Sequence, residues 1–288
     1  MFGGVGNQLF IYASARGLAT RFARELRFDM TTGFERDVFQ RTYRIGAFNV
    51  RVVPARRRDC FAYPGGRLHR ALSVALNQHR PLRERSYVRE DDIHSSLGIF
   101  EAAPTANSVY LDGYWQKPEY FEPIAPEIRR EITLRDPLGP GFAAMEQIAL
   151  SECSVAVHLR GLYCTSATGD VVTDLPILPR TYYRAAIEMV RGRLQSPRFI
   201  VFTDGADASW LTEICPGAFL LSEHCQSAKD YEELWLMSRC KHHIIANSTF
   251  SWWGAWLHDA SEHLVVSPNM EKYGQRMPKL ASWTVIDE

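Results

Sequence analysis

From residue 154 onward the chain alternates short apolar runs with amphipathic stretches, and no other feature constrains its fold as tightly. The runs at 154–159, 199–202, 218–221, 242–246 and 264–267 are too short for helices and nearly continuous in apolar residues, as strands buried on both faces are. Between them, 182–194, 208–214, 231–239 and 251–257 read as helices. This alternation predicts an α/β fold with a parallel sheet covered by helices on both faces. Ligands of such sheets gather at the carboxyl ends of the strands. His158, Arg160, Asp204 and Asn247-Ser248-Thr249 all fall at such ends.

The first half is less regular. Gly3-Gly4-Val5-Gly6-Asn7-Gln8 runs directly into a helical pattern, a place where backbone amides commonly face a ligand. Residues 109–111 read as a short strand that ends in Asp112-Gly113, and 118–150 read as helix with proline and glycine interruptions. A chain of 288 residues suggests two domains. Pro137, Gly139, Pro140 and Gly141 form a linker zone, so the expected division is 1–148 and 149–288.

Several function classes drop out. Lys plus Arg (33) equals Asp plus Glu (33), so no net field calls for a nucleic-acid partner. Yet residues 51–89 hold ten arginines against two acids, Asp59 and Glu84. That segment is a solvated helical excursion, a peripheral contact with an anionic membrane surface or, as a third reading, a direct nucleic-acid contact. No apolar stretch is long enough to span a bilayer, and the start does not resemble a signal peptide. Six cysteines without a C-x-x-C pair are expected to be reduced thiols in a cytoplasmic protein. There is no Walker A loop, no nucleophile elbow and no D-x-D triplet, and Leu9 stands where a G-x-G-x-x-G motif needs its third glycine. His242 and His243 are adjacent on a strand and point to opposite faces, so they cannot share a metal.

What remains is anion recognition. Asn247, Ser248, Thr249 and Ser251 join a strand to a helix, either as a phosphate seat or as an ordinary N-cap. Arg160 could offer the same phosphate a charged fork.

These residues also spell out a family. Gly3-Gly4-Val5-Gly6-Asn7-Gln8-Leu9-Phe10 resembles the signature GGLGNQ(L/M)F, and Tyr110-Leu111-Asp112-Gly113-Tyr114-Trp115-Gln116 resembles YL(E/D)GYWQ. Phe202-Thr203-Asp204 is similar to an F-S-D-D strand end, and the stretch from Leu236 to Leu257 resembles the longest signature almost letter for letter. Together they resemble the α-1,2-fucosyltransferases of glycosyltransferase family 11, from Gly3 to about Ser267.

The resemblance implies a GT-B-like fold of two facing Rossmann-like domains with parallel sheets. The donor would be GDP-β-L-fucose, bound by the carboxyl half, and the acceptor a galactose-terminated glycan. Transfer would invert the anomeric carbon, with no cofactor and no metal. By the same resemblance Arg160 holds the β-phosphate, His158 lies by the nucleotide and Glu233 reads the guanine edge. Asn247, Ser248, Thr249 and Ser251 seat the diphosphate, and Asp204 orients them. Asp112 is the candidate general base; it reads equally as a turn residue before Gly113.

The chain departs from the family pattern in three places. The family carries a hydrophobic strand before its first glycines, where here only Met1-Phe2 stand. His158-Leu159-Arg160-Gly161-Leu162-Tyr163 lacks the second arginine and the aspartate of H-x-R-R-G-D-Y, for which Asp170 or Asp174 could substitute. Gly205 replaces the second aspartate of S-D-D. Two alternatives therefore stand beside an active fucosyltransferase: a catalytically weakened GDP-sugar-binding protein, and a transferase of another GDP-sugar.

Overall fold

The computed structural model describes residues 1–35, 37, 39–93, 103–151, 153–160, 164–165, 171–172, 177–203, 208–224, 229–273 and 277–287. Two compact units emerge. One comprises Met1–Gly46 with Val50–Glu131, the other Ala47–Asn49 with Ile132–Glu288.

The first unit opens with α1 (Val5–Arg21), continues through α2 (Gly66–Asn77), β1 (Tyr87–Arg89) and β2 (Tyr110–Asp112), and closes with α3 (Ala125–Glu131). β1 and β2 are parallel, in register Tyr87 to Tyr110. Gly17 lets α1 lie against the backbone at Tyr120, because a Cβ there would sit 1.9 Å from the Tyr120 carbonyl oxygen. Glu131, on α3, accepts from the Tyr12 hydroxyl (2.6 Å) and from Arg16 (2.8 Å), tying the last helix to the first. Those donors outweigh burial and hold its carboxyl below the usual range. The unit carries an open pocket of about 910 Å³ lined by Met1, Phe28, Asp29, Tyr87, Tyr110 and Leu111 among others.

The second unit begins with α4 (Pro140–Ala149) and β3 (Ser154–Leu159). A small antiparallel pair follows, β4 (Cys164–Thr165) with β5 (Val171–Val172). Next come α5 (Arg180–Arg193), β6 (Arg198–Thr203), α6 (Ser209–Ile214), β7 (Phe219–Leu220), α7 (Leu221–His224), α8 (Asp230–Arg239), β8 (His242–Ile244), α9 (Thr249–Leu257), β9 (Val265–Pro268) and β10 (Thr284–Ile286). Six strands form one parallel sheet in the order β10-β9-β8-β3-β6-β7. Alternation along β3 sends Val155, Val157 and Leu159 into a core with α5 and α6, and Ala156 into a second core with α4 and α8. Helices therefore cover both faces, as the sequence pattern requires.

The division between units falls at 131/132 rather than at 148/149. Phe142, Met145 and Ala149 of α4 are buried with Ala156, Ile200 and Phe202 of the second unit's sheet, and Gly139 donates to Glu232 (3.2 Å) on α8. The proline–glycine zone is thus a helix start inside the second unit, with Pro140 at its first turn. β10 has no counterpart in the sequence reading, since three residues are too few to show a period.

Candidate active site

Strand order decides where a ligand can bind in the second unit. In chain order the sheet reads 6-5-4-1-2-3, so the direction of winding reverses between its first strand, β3, and its fourth, β8. At such a reversal the loops leave the two strands in opposite directions and open a crevice at their carboxyl ends. Arg160 follows β3 at that point, and Ala246-Asn247-Ser248 follow β8.

Each wall is built from local chemistry. Ser248 is extended (φ −140°, ψ 132°) and caps α9, its hydroxyl accepting from the Phe250 amide at 3.3 Å. The amides at the start of α9 then carry the positive end of the helix dipole, an anion seat in kind. Asn247 and Ser248 are buried and Thr249 is half-buried beside them. Ser251 lies deeper. Its hydroxyl accepts from the Ala246 amide (3.2 Å) and donates to the Ala246 and Ser248 carbonyls, so it shapes the loop and is itself fully buried.

On the opposite wall His158 is 5% exposed, with its ring 5.4 Å from that of Phe250. Its Nδ1 has no hydrogen-bond partner among the described residues. Burial first, and the neighbouring Arg160 guanidinium second, push the imidazole down to about 3. His158 is therefore neutral at physiological pH, and Arg160 carries the positive charge at this strand end. Glu233 is half-buried on α8; its neighbour Glu232 is the buried one, spent on Gly139. Asp204, Gly161–Tyr163, Asp170 and Asp174 lie outside the described residues.

In the first unit the glycine run is a rigid turn. Gly3 is left-handed (φ 76°), and a Cβ there would press on Asn7 and Tyr114. Gln8 is fully buried; its amide donates to the Gly3 (2.8 Å) and Thr42 (2.9 Å) carbonyls and accepts from the Arg44 amide (2.9 Å). Asn7 accepts from Gln116 at 3.0 Å. Gly6 is buried in α1, whereas a Cβ on Gly4 would meet open space. Gln8 therefore holds the turn, and Gly4 is its open face. Asp112, at the end of β2, accepts through Oδ2 from both Arg70 and Tyr87 at 2.5 Å. A base needs an oxygen open to the acceptor hydroxyl; Oδ2 holds two donors, so any such role would fall to Oδ1.

The family model described as glycosyl transferase family 11 matches residues 83–286. The chain belongs to glycosyltransferase family 11. Among curated relatives of this family 11 chain, an Escherichia coli α-1,2-colitosyltransferase is 27% identical over 92% of the chain and 89% of the relative. The E. coli O-antigen biosynthesis glycosyltransferase WbnK is 28% identical over 98% and 97%. Human galactoside α-(1,2)-fucosyltransferase 1 is 26% identical over 69% of the chain and 58% of its own length. Among solved structures, the α-1,6-fucosyltransferase NodZ soaked with GDP-fucose aligns over 96% of the chain and 95% of its own, with a TM-score of 0.52 at 16% identity. The fold is thus that of the GT-B fucosyltransferases, α/β with parallel sheets, and the protein is a glycosyltransferase.

The family 11 signatures did not reveal the residues that brace the crevice. Tyr182 and Tyr183, adjacent and buried on α5, donate to the Ile245 carbonyl (2.6 Å) and the His158 carbonyl (3.1 Å). One helix thereby fixes the ends of β3 and β8 together. Their only trace in the sequence is a helical apolar face, which any core helix would show. His243, which the sequence reading set aside as structural, bonds to the Met237 carbonyl (2.9 Å) and to His263 (2.8 Å), while His242 accepts from the Leu264 amide. The two rings do turn to different partners.

Proposed function

We propose that this glycosyltransferase moves L-fucose from GDP-β-L-fucose to the 2-hydroxyl of a terminal galactose, with inversion and without a metal. The observation that carries the reading is the crevice between β3 and β8, which pairs Arg160 with the capped start of α9. As the bond from the sugar to GDP breaks, negative charge grows on the β-phosphate. Arg160 and the amides around Asn247, Ser248 and Thr249 would stabilise that charge, the usual largest source of rate enhancement. Neutral His158 adds no second charge and lies by the nucleotide. Glu233 would accept from the guanine N1–H and amino group. The acceptor hydroxyl attacks the anomeric carbon from the opposite side, losing its proton to a base, and its positioning supplies much of the remaining rate. The α-1,2 linkage in the names of two relatives supports the 2-hydroxyl as target.

The colitosyltransferase relative makes the donor sugar the point to test. GDP-fucose and GDP-colitose should be offered in parallel with a panel of β-galactosides, and the products weighed and their linkage read by NMR. An α-1,2-linked deoxyhexose from GDP-fucose, formed equally in excess chelator, supports the proposal. Product from GDP-colitose alone assigns another donor. Donor binding without any product leaves a GDP-sugar-binding protein, and a tenfold drop on chelation removes the metal-free mechanism.

A further inference from the structure

The helix α2 buries almost none of its apolar residues. Leu68, Leu72 and Leu76 are 66%, 52% and 67% exposed, although leucine belongs in a core. Four residues is about one helical turn, so the three stand one above another on a single face. Ala71 and Ala75 are exposed on the same arc, which makes the stripe continuous. The other side of the helix does the holding: Asn77 is buried and accepts from the Ser86 amide at 2.7 Å, and Arg70 reaches Tyr87 and Asp112. The leucine face is thus not needed to seat α2 in its unit.

The charges around the stripe are mostly positive, ten arginines against two acids between residues 51 and 89. Helical geometry places Arg67 along one margin, and Arg80 follows in the turn just beyond Asn77, the last residue of α2; both are exposed. Arg57 adds exposed positive charge from the flanking segment, while Arg56 and Arg58 lie 3.9 Å from Asp59 and Arg83 lies 3.8 Å from Glu84, the only acids between residues 51 and 89. An apolar helix face bordered by arginines matches the boundary layer of an anionic bilayer. There, leucines enter the acyl region and guanidinium groups meet headgroup phosphates. A second copy of the same face would bring arginine margins against arginine margins. A nucleic acid would match the arginines but leave three leucines in water. No helix among the described residues is long and apolar enough to cross a membrane, so this contact would lie on the surface.

We propose that the Leu68–Leu72–Leu76 face of α2, with Arg67 at its margin and Arg80 just beyond its end, docks the protein on anionic lipid. The inference is independent of the donor and acceptor assigned above. The full chain should float with vesicles of phosphatidylcholine plus phosphatidylglycerol, and not with phosphatidylcholine alone. Leu72→Asp should lower the partition at least about tenfold, since an anchoring side chain is lost and a like charge meets the headgroups. Arg67→Ala and Arg80→Ala should each lower it about fivefold. All three positions are exposed, so melting temperature should stay unchanged, which separates lost docking from lost folding. No flotation with the anionic vesicles, or equal flotation by Leu72→Asp, would overturn the proposal. So would concentration-dependent dimerisation that Leu72→Asp abolishes, in the absence of vesicle binding, because it would give the face to a second copy.

Discussion

Replacing His158 with phenylalanine should make the protein less sensitive to acid. In the folded state burial, then Arg160, hold the imidazole at about 3, against an ordinary value of 6.5. A histidine depressed on folding is protonated first in the unfolded chain. Its contribution is therefore fully present above about pH 6.5 and is lost as pH falls toward the folded value. The whole interval corresponds to about 5 kcal/mol, and acidification from about pH 7 to about pH 5 alone should cost about 2 kcal/mol. That second figure barely depends on where below pH 5 the folded value lies, since the folded ring stays neutral across the range. Other groups add to the total loss: His243 is also held well below the histidine range, chiefly by burial. Asp29 is at about 2, because its hydrogen bonds to Thr31 and Thr32 overcome burial. The comparison of two chains removes these shared contributions. Phenylalanine keeps a ring beside Phe250 and dispenses with an orphaned buried nitrogen. Denaturant titrations of both chains at the two pH values give the four stabilities needed. The parent should lose about 2 kcal/mol more than His158→Phe on acidification. Equal losses in the two chains, or an imidazole that titrates by NMR near its ordinary value, would refute the reasoning.

Arg160→Lys and Arg160→Ala should both lower turnover by about a hundredfold or more, because an ammonium keeps the charge but not the planar fork, with little change in melting temperature; retained turnover in Arg160→Ala would place the phosphate elsewhere. Tyr183→Phe should cost about 1 kcal/mol in a denaturant titration by stranding the His158 carbonyl, and should weaken GDP binding in calorimetry by loosening the end of β3. Two glycines of the first unit should behave oppositely. Gly17→Ala drives a methyl group into the Tyr120 carbonyl and should cost about 3 kcal/mol or more, whereas Gly4→Ala meets open space and should change stability by less than about 0.5 kcal/mol in thermal melts.

Much of this protein was written locally. A strand buried on both faces must be apolar at consecutive positions, and a helix packed on one side must be apolar at its own period. The strands at 154–159, 198–203 and 242–244 and the helices between them were therefore legible from the sequence, along with the α/β class. The glycine turn and the cap at Ser248 were legible for the same reason, since the residues that make them are neighbours in the chain. Strand order was not, because hydrogen-bonded pairing joins segments far apart in sequence and any apolar strand can neighbour any other. Only the tertiary structure put β3 beside β8, and so turned Arg160 and Asn247–Thr249 from separate strand ends into the two walls of one crevice. It also decided which polar groups face inward. Ser251 and Gln8 look like ligand contacts in the sequence, yet their bonding capacity goes to backbone groups that only the fold brings within reach. The exposed leucines of α2 show the converse. Their spacing on one helical face is set by the order of residues, and the tertiary structure left that face without a neighbour, since burial depends on what packs against a helix and not on the helix itself.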